Sequence, residues 1–108
     1  MATIDEFKNI EMRVGKILSA ERVEKSDKLL RLSVDFNEEA PRVILSGIAE
    51  YYAPDDLVGK LCPFVTNLPP RSMMGLESNG MILAVKTDDG GAVLLHPDKE
   101  VIPGNKLS

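Results

Sequence analysis

Leu30-Arg31-Leu32-Ser33-Val34-Asp35-Phe36 decides the fold class. Leu30, Leu32, Val34 and Phe36 fall on one side of an extended chain, and Arg31, Ser33 and Asp35 on the other. That is the period-two signature of a strand with one buried face. The same reading spreads upstream. Residues 12–23 form a long strand whose apolar set moves from Met12 and Val14 to Ile17 and Val23 across Gly15. A glycine that shifts the phase predicts a bulge at that point and a strong bend. Glu24-Lys25-Ser26-Asp27 is the turn between the two strands. Downstream, Asn37-Glu38-Glu39-Ala40-Pro41 turns the chain into residues 42–48, apolar on both parities (Val43, Ile44, Leu45, Ile48). That predicts a strand buried on both faces and ending near Gly47.

Residues 49–57, with Tyr51, Tyr52 and Pro54, read as a short helical turn or two, closed by Gly59. Residues 61–66 return to strand, and Pro63 confines that strand to an edge or a bulge because proline has no N–H to give. A long loop starts at Asn67-Leu68-Pro69-Pro70-Arg71-Ser72 and runs to Gly75. Residues 81–85 are an apolar strand, and Asp88-Asp89-Gly90-Gly91 is a hairpin signal returning through Ala92 to Leu95. The tail 96–108, with Pro97, Pro103 and Gly104, is irregular. Ahead of the first strand, Thr3-x-x-Glu6 has capping-box spacing and predicts one helical turn over 4–9. Five or six short strands, a bulged first strand and one helix inserted mid-chain fit an all-β OB-fold, a five-stranded Greek-key barrel. By pattern alone, an SH3-like barrel and a small sandwich fit as well. No repeat, linker or low-complexity stretch divides the chain, so residues 1–108 are expected to form one domain.

With 44% hydrophobic and 28% charged residues, the composition is that of a globular protein. No apolar run approaches the ~18 residues of a membrane span. The first residues lack the basic flank and apolar stretch of a signal peptide, so no membrane partner and cytoplasmic residence are the expectations. The single Cys62 agrees, since a disulfide within the chain needs two. The net charge of −4 argues against an indiscriminate polyanion binder, whose affinity comes from Lys and Arg. The charge is uneven, however: residues 8–71 hold ten basic and ten acidic side chains, leaving the deficit at the two ends.

Catalytic chemistry has few residues to stand on. One histidine, His96, and one cysteine, Cys62, cannot supply the three or four ligands of a zinc site. As nucleophile and base they would first have to meet in space. Gly75 and Gly80 belong to no phosphate-loop or dinucleotide motif, and Glu38-Glu39 and Asp88-Asp89 sit in turns where solvated carboxylates are ordinary. No enzyme, cofactor or metal is expected.

Four blocks carry a stronger signal: Arg13-Val14-Gly15-Lys16-Ile17; Ser26-Asp27-Lys28-Leu29-Leu30; Ser46-Gly47-Ile48-Ala49-Glu50-Tyr51-Tyr52; and the run from Asn67-Leu68-Pro69-Pro70-Arg71-Ser72 through Met73-Met74-Gly75-Leu76-Glu77-Ser78-Asn79-Gly80-Met81. In this order and spacing, with Pro103-Gly104-Asn105-Lys106 after them, they resemble the tRNA-binding domain family over residues 4–106. That family includes the C-terminal domain or separate β-subunit of methionyl-tRNA synthetase, free-standing tRNA-binding dimers and a secretion-chaperone branch. The resemblance implies an OB barrel, usually a homodimer through terminal segments outside the barrel. It also implies tRNA as the ligand, held by shape, with a synthetase catalytic chain as a possible partner. The alternative is a homodimeric protein-interaction or secretion-chaperone-like OB-fold protein.

The candidate RNA-binding residues follow. Lys28 opens a strand after a turn, in reach of a phosphate or of solvent alone. Arg31 lies with Ser33 on the polar face of the alternating strand, where OB proteins bind. Ser46 interrupts an apolar strand and must find a partner, which backbone can provide. Arg71 projects from a proline-stiffened loop, while Asn67 shapes that loop. Ser78 and Met81 flank Asn79-Gly80, and the resemblance puts this Ser-x-Gly-Met block at the binding groove, with Gly80 admitting RNA backbone. Lys60 completes the set. One departure is Ser72, where many members carry a second basic residue after the arginine.

Overall fold

The capping box at Thr3 and Glu6 is formed. Thr3 Oγ1 accepts from the Glu6 N–H (3.2 Å) and the Glu6 carboxylate accepts from the Thr3 N–H (3.0 Å). These bonds hold α1 (Ile4–Lys8), which is too short to persist by helix propensity alone. The computed structural model describes residues 1–108. Nine strands follow α1: β1 (Met12–Arg22), β2 (Leu30–Asp35), β3 (Arg42–Ser46), β4 (Leu61–Val65), β5 (Arg71–Met73), β6 (Leu76–Ser78), β7 (Met81–Ile82), β8 (Ala84–Lys86) and β9 (Ala92–Leu94). Five of them make one antiparallel sheet in the order β3-β2-β1-β4-β7, and β5-β6 and β8-β9 are separate hairpins.

The sheet curls until β3 meets β7, and the seam is closed by mixed means. The Asn79 N–H donates to Val43 C=O (2.9 Å), a main-chain bond. The Leu45 N–H donates to Ser78 Oγ (2.9 Å), so a hydroxyl replaces the carbonyl that a regular ladder would offer. Arg42 spans the gap and donates to Thr66 C=O (2.7 Å) and Asn79 C=O (3.3 Å). The result is a nearly closed five-stranded antiparallel barrel of the OB-like kind. Its interior holds Leu30, Leu32, Val34 and Phe36, as their alternation predicted, packed with Ile17, Ile44 and Phe64. Phe36 and Phe64 meet edge to face, with centroids 5.3 Å apart and planes at 85°.

Several local expectations are corrected. The bulge in β1 is not at Gly15. Ile17 pairs with Val34 but Ser19 with Ser33, so the extra residue is Leu18. Gly15 answers a different need: a Cβ there would stand 2.5 Å from Val34 Cγ1 and 2.6 Å from the Phe36 ring. Pro63 does not confine β4 to an edge, because β4 lies between β1 and β7. Its carbonyl accepts from Leu83 N–H on the β7 side, so its missing donor faces that side too, where the ladder has already run out after two residue pairs. The one α-helix is N-terminal, not mid-chain. Residues 49–57 hold a turn on Ile48 C=O, which accepts from the Tyr51 and Tyr52 N–H groups, and then a single 3-10 turn, Pro54–Asp56.

The predicted loop from 67 to 75 holds β5 and the turn of a hairpin whose return strand, β6, follows directly after it. Its two turn residues, Met74 and Gly75, both have positive φ (52° and 76°), as a type I′ turn requires, and Met-Gly is a weak sequence signal for one. The predicted strand 81–85 breaks at Leu83 into β7 and β8, and the hairpin at Asp88-Asp89-Gly90-Gly91 forms. The irregular tail ends in order: Gly104 N–H donates to Val14 C=O (2.7 Å), Val14 N–H to Asn105 C=O (2.9 Å) and Leu107 N–H to Met12 C=O (2.9 Å). The tail thus covers the edge of β1 that β2 leaves open.

Candidate nucleic-acid interface

Two hollows adjoin on the outside of the barrel. One, of about 350 Å³, is lined by Leu45, Pro70, Arg71, Ser78, Gly80 and Met81, among others. The other, of about 390 Å³, is lined by Lys28, Gly47, Glu50, Tyr51, Val85, Lys86, Gly90 and Gly91, among others. Leu45 in β3 and Gly47 just beyond it are two residues apart, and Gly80 to Lys86 is one continuous segment, so the hollows lie along the same two segments and are taken together as one cleft.

Each wall residue has a local reason for its place. Ser26 Oγ accepts from the N–H groups of Lys28 (3.3 Å) and Leu29 (3.1 Å), and Lys28 C=O accepts from Ala49 N–H (3.0 Å). The Ser26-Asp27-Lys28 block is therefore a side-chain-capped turn that presents Lys28 at the cleft. Arg71 opens β5 opposite Ser78, is exposed, and has no acidic partner. Both feet of its hairpin are held by Arg42, whose acceptors Thr66 and Asn79 bracket the excursion. Asn67 anchors the first foot: its Oδ1 accepts from Glu11 N–H (2.8 Å) and its Nδ2 donates to Asn9 C=O (2.7 Å).

Ser78 is buried and its hydroxyl is occupied, accepting from Leu45 N–H and donating to Gly80 C=O (3.1 Å). It shapes the cleft wall and leaves Met81, which is 46% exposed, facing outward. The glycine between them is required by the protein itself, since at Gly80 (φ +151°) a Cβ would stand 2.9 Å from Ile44 Cδ1.

The other candidates lie elsewhere. Ser46 pairs with Leu30 and shares the inward parity of Ile44, so it is turned to the interior. Arg31 lies on the outer face opposite Leu45, beside the cleft, with its guanidinium 3.2 Å from the Glu21 carboxylate. Lys60 lines a separate hollow with His96. Two cleft residues escaped the sequence reading. Lys86 is not singled out by the sequence, and Tyr51 reads only as part of a short helical turn, yet Tyr51 is 46% exposed and its hydroxyl donates to Gly90 C=O (2.9 Å). The adjacent pair Tyr51-Tyr52 was the available signal: two neighbouring residues in one turn cannot both face the core. Together Lys28, Lys86 and Arg71 outnumber the cleft's one acid, Glu50, in a chain whose net charge is −4.

Cys62 and His96 do meet, with Sγ 3.6 Å from Nδ1. The same Nδ1 lies 2.8 Å from Leu61 C=O, which can only accept, so that nitrogen carries a proton and cannot take another. Burial pushes the Cys62 thiol up to about 11, far from a thiolate at neutral pH. The pair is not an activated nucleophile. No helix is long and apolar enough to cross a membrane.

The OB-like barrel has counterparts among known proteins. The family model described as "Putative tRNA binding domain" matches residues 12–106. The chain belongs to the tRNA-binding domain family. Among curated relatives, the methionine–tRNA ligase of Methanocella arvoryzae is 49% identical over 105 residues, 97% of this chain and 15% of that protein. The tRNA-binding domain thus spans about one sixth of the curated relatives it matches. Two solved structures have its full extent. The MetRS-related protein of Pyrococcus horikoshii has a TM-score of 0.94 at 38% identity, covering 100% of this chain and 98% of that one. The chaperone CsaA of Bacillus anthracis has a TM-score of 0.90 at 31% identity, covering 100% and 99%. The tRNA-binding domain occurs, then, both as a small part of a ligase and as a chain of about its own size.

Proposed function

We propose that residues 1–108 act as one non-catalytic module that binds tRNA in the cleft by shape and lends that affinity to a methionyl-tRNA synthetase, in the cytoplasm. The observation that carries this reading is the convergence of Lys28, Lys86 and Arg71 on one cleft of an acidic chain. Lys28, Arg71 and Met81 contact the RNA, with Arg31 at the rim. Ser78, Asn67 and Ser46 hold the wall in place, and Lys60 adds charge from a separate face. Tethered beside a catalytic domain, such a module raises the local concentration of tRNA without any chemistry of its own.

Arg71→Glu is expected to weaken binding of folded bulk tRNA at least about tenfold with an unchanged melting temperature, because it inverts an unpaired charge and removes no packing. About three phosphate contacts also predict a loss of roughly 20- to 40-fold in wild-type affinity between about 50 and 200 mM salt. Unchanged affinity in the Arg71→Glu protein would remove this residue from the site.

We further propose a homodimer through the terminal face. Ile4, Phe7, Ile10 and Leu107 are all exposed there around a hollow of about 310 Å³. Sedimentation at micromolar concentration should give a dimer, and Phe7→Asp a monomer. A monomeric wild-type protein overturns it. The likeness to the CsaA chaperone supports a second reading, a dimer that binds unfolded protein. In that case the dimer would bind an unfolded polypeptide, and tRNA affinity would be weak and insensitive to Arg71→Glu.

A further inference from the structure

The half of the cleft that holds Tyr51 contains more than charge. Its two lysines come from opposite walls, Lys28 from the turn before β2 and Lys86 from the end of β8. Neither is in an ion pair. Gly47 forms part of the floor with open space where a side chain would be, so a ligand can approach the backbone closely. Tyr51 is an unusual surface aromatic. Its hydroxyl is tied to Gly90 C=O, its ring edge lies against Gly91, and nearly half of the side chain remains open to the cleft. A ring held by its own hydroxyl has already lost its rotamer freedom, and such a surface binds a flat partner at low entropic cost.

The acid in the hollow narrows the ligand. Glu50 beside two lysines penalises a bare phosphate ion, which offers no donor at neutral pH beyond its remaining proton. A nucleotide offers hydroxyl and amino donors to a carboxylate, a flat π-face to an aromatic ring and one phosphate per unit to a pair of lysines. Folded RNA displays such groups at its unstacked nucleotides.

We propose that the hollow bounded by Lys28, Lys86 and Tyr51 is a subsite for one unstacked ribonucleotide, its phosphate between the two lysines and its base laid on the open face of the Tyr51 ring. The subsite rests on the tRNA-binding reading and adds to it a stacking contact: one nucleotide of the bound RNA leaves its stack and docks on the protein. Arg71 and Met81, at the other end of the cleft, then take the flanking backbone. The β8-β9 hairpin becomes a working wall of the site, because it carries both Lys86 and the carbonyl that aims Tyr51.

The test uses the full chain with isotopically labelled tyrosine rings, titrated with folded bulk tRNA. The chain has two tyrosines, so assignment needs one variant. Stacking moves the Tyr51 ring protons upfield by ring current and leaves those of Tyr52, whose hydroxyl accepts from Leu94 N–H, near their free positions. Lys86→Ala and Tyr51→Ala should each weaken tRNA binding at least about fivefold, while Tyr51→Phe, which keeps the ring and loses only the bond that holds it, should lose clearly less than Tyr51→Ala. Unmoved Tyr51 resonances in a saturated complex overturn the subsite. So does a Tyr51→Phe protein that loses as much affinity as Tyr51→Ala, since the hydroxyl would then matter only as a fastener for the hairpin. In either case wild-type binding of tRNA keeps the broader reading intact. Absence of wild-type binding, with Arg71→Glu equally without effect, overturns both.

Discussion

Phe36→Ala lowers the free energy of unfolding by about 3–5 kcal/mol, a fall in melting temperature of roughly 15–30 °C. The ring is 1% exposed and sits at the meeting point of the barrel's two halves. It packs edge to face on Phe64 from β4, lies within reach of Gly15 on β1, and carries the Arg42 guanidinium 5.3 Å from its centroid. Truncation removes the transfer energy of the ring and leaves a cavity that three separate strands would have to move to fill. Urea unfolding followed by circular dichroism, with an unchanged slope, measures it. A loss below about 1.5 kcal/mol would mean that the barrel collapses onto the gap.

Arg42→Met costs about 2–4 kcal/mol and also weakens tRNA binding, the second effect being the more informative. The guanidinium satisfies Thr66 C=O and Asn79 C=O, and methionine keeps the stem and leaves both carbonyls short of a donor. Those acceptors are the two feet of the excursion that presents Arg71, so its position loosens although Arg42 touches no ligand. Arg42→Lys should recover part of the stability, having the charge but not the fork that also binds Glu38 at 2.8 Å through two nitrogens. Because Arg42 lies over Phe36, the two substitutions share contacts, and their costs should sum to more than the double variant loses.

The acid side of the stability curve reports the same residue. The hydrogen bond from Arg42 holds the Glu38 carboxyl below its ordinary value of 4.5. A depressed folded-state value contributes stability above about 4.5 that is lost as pH falls through the folded value. Arg42→Met removes Glu38's share of that slope. Glu11 keeps its own share, because Arg13, followed by Thr66, lowers it by hydrogen bonding.

The period-two run Leu30 to Phe36 determined the class of fold, because burying one face of a strand is a local matter of parity. The run is buried at each alternate residue. The two-sided burial of β3 was legible for the same reason, though its cause was not: the outer face is covered by β6, which falls between the predicted loop and the predicted strand at 81. Capping at Thr3 and turning at Gly90-Gly91 were local as well, and both formed. What failed involved a partner distant in sequence. Gly15 signalled something unusual, but only the crossing of Val34 and Phe36 shows that the need was space and not a bulge. Pro63 is tolerated in an interior strand because of where the short β7 ends. Of the candidate site, Lys28, Arg71 and Met81 could be named from their blocks, since turns and stiffened loops display side chains to solvent. Ser78 could be named from its block too, but not the partner of its hydroxyl, Leu45 N–H across the seam. Lys86 carries no mark in the linear chain, and Tyr51 carries only its adjacency to Tyr52. A cleft is a relation between surfaces, and these two acquire their meaning when closure of the barrel brings residues 28, 51 and 86 to one hollow.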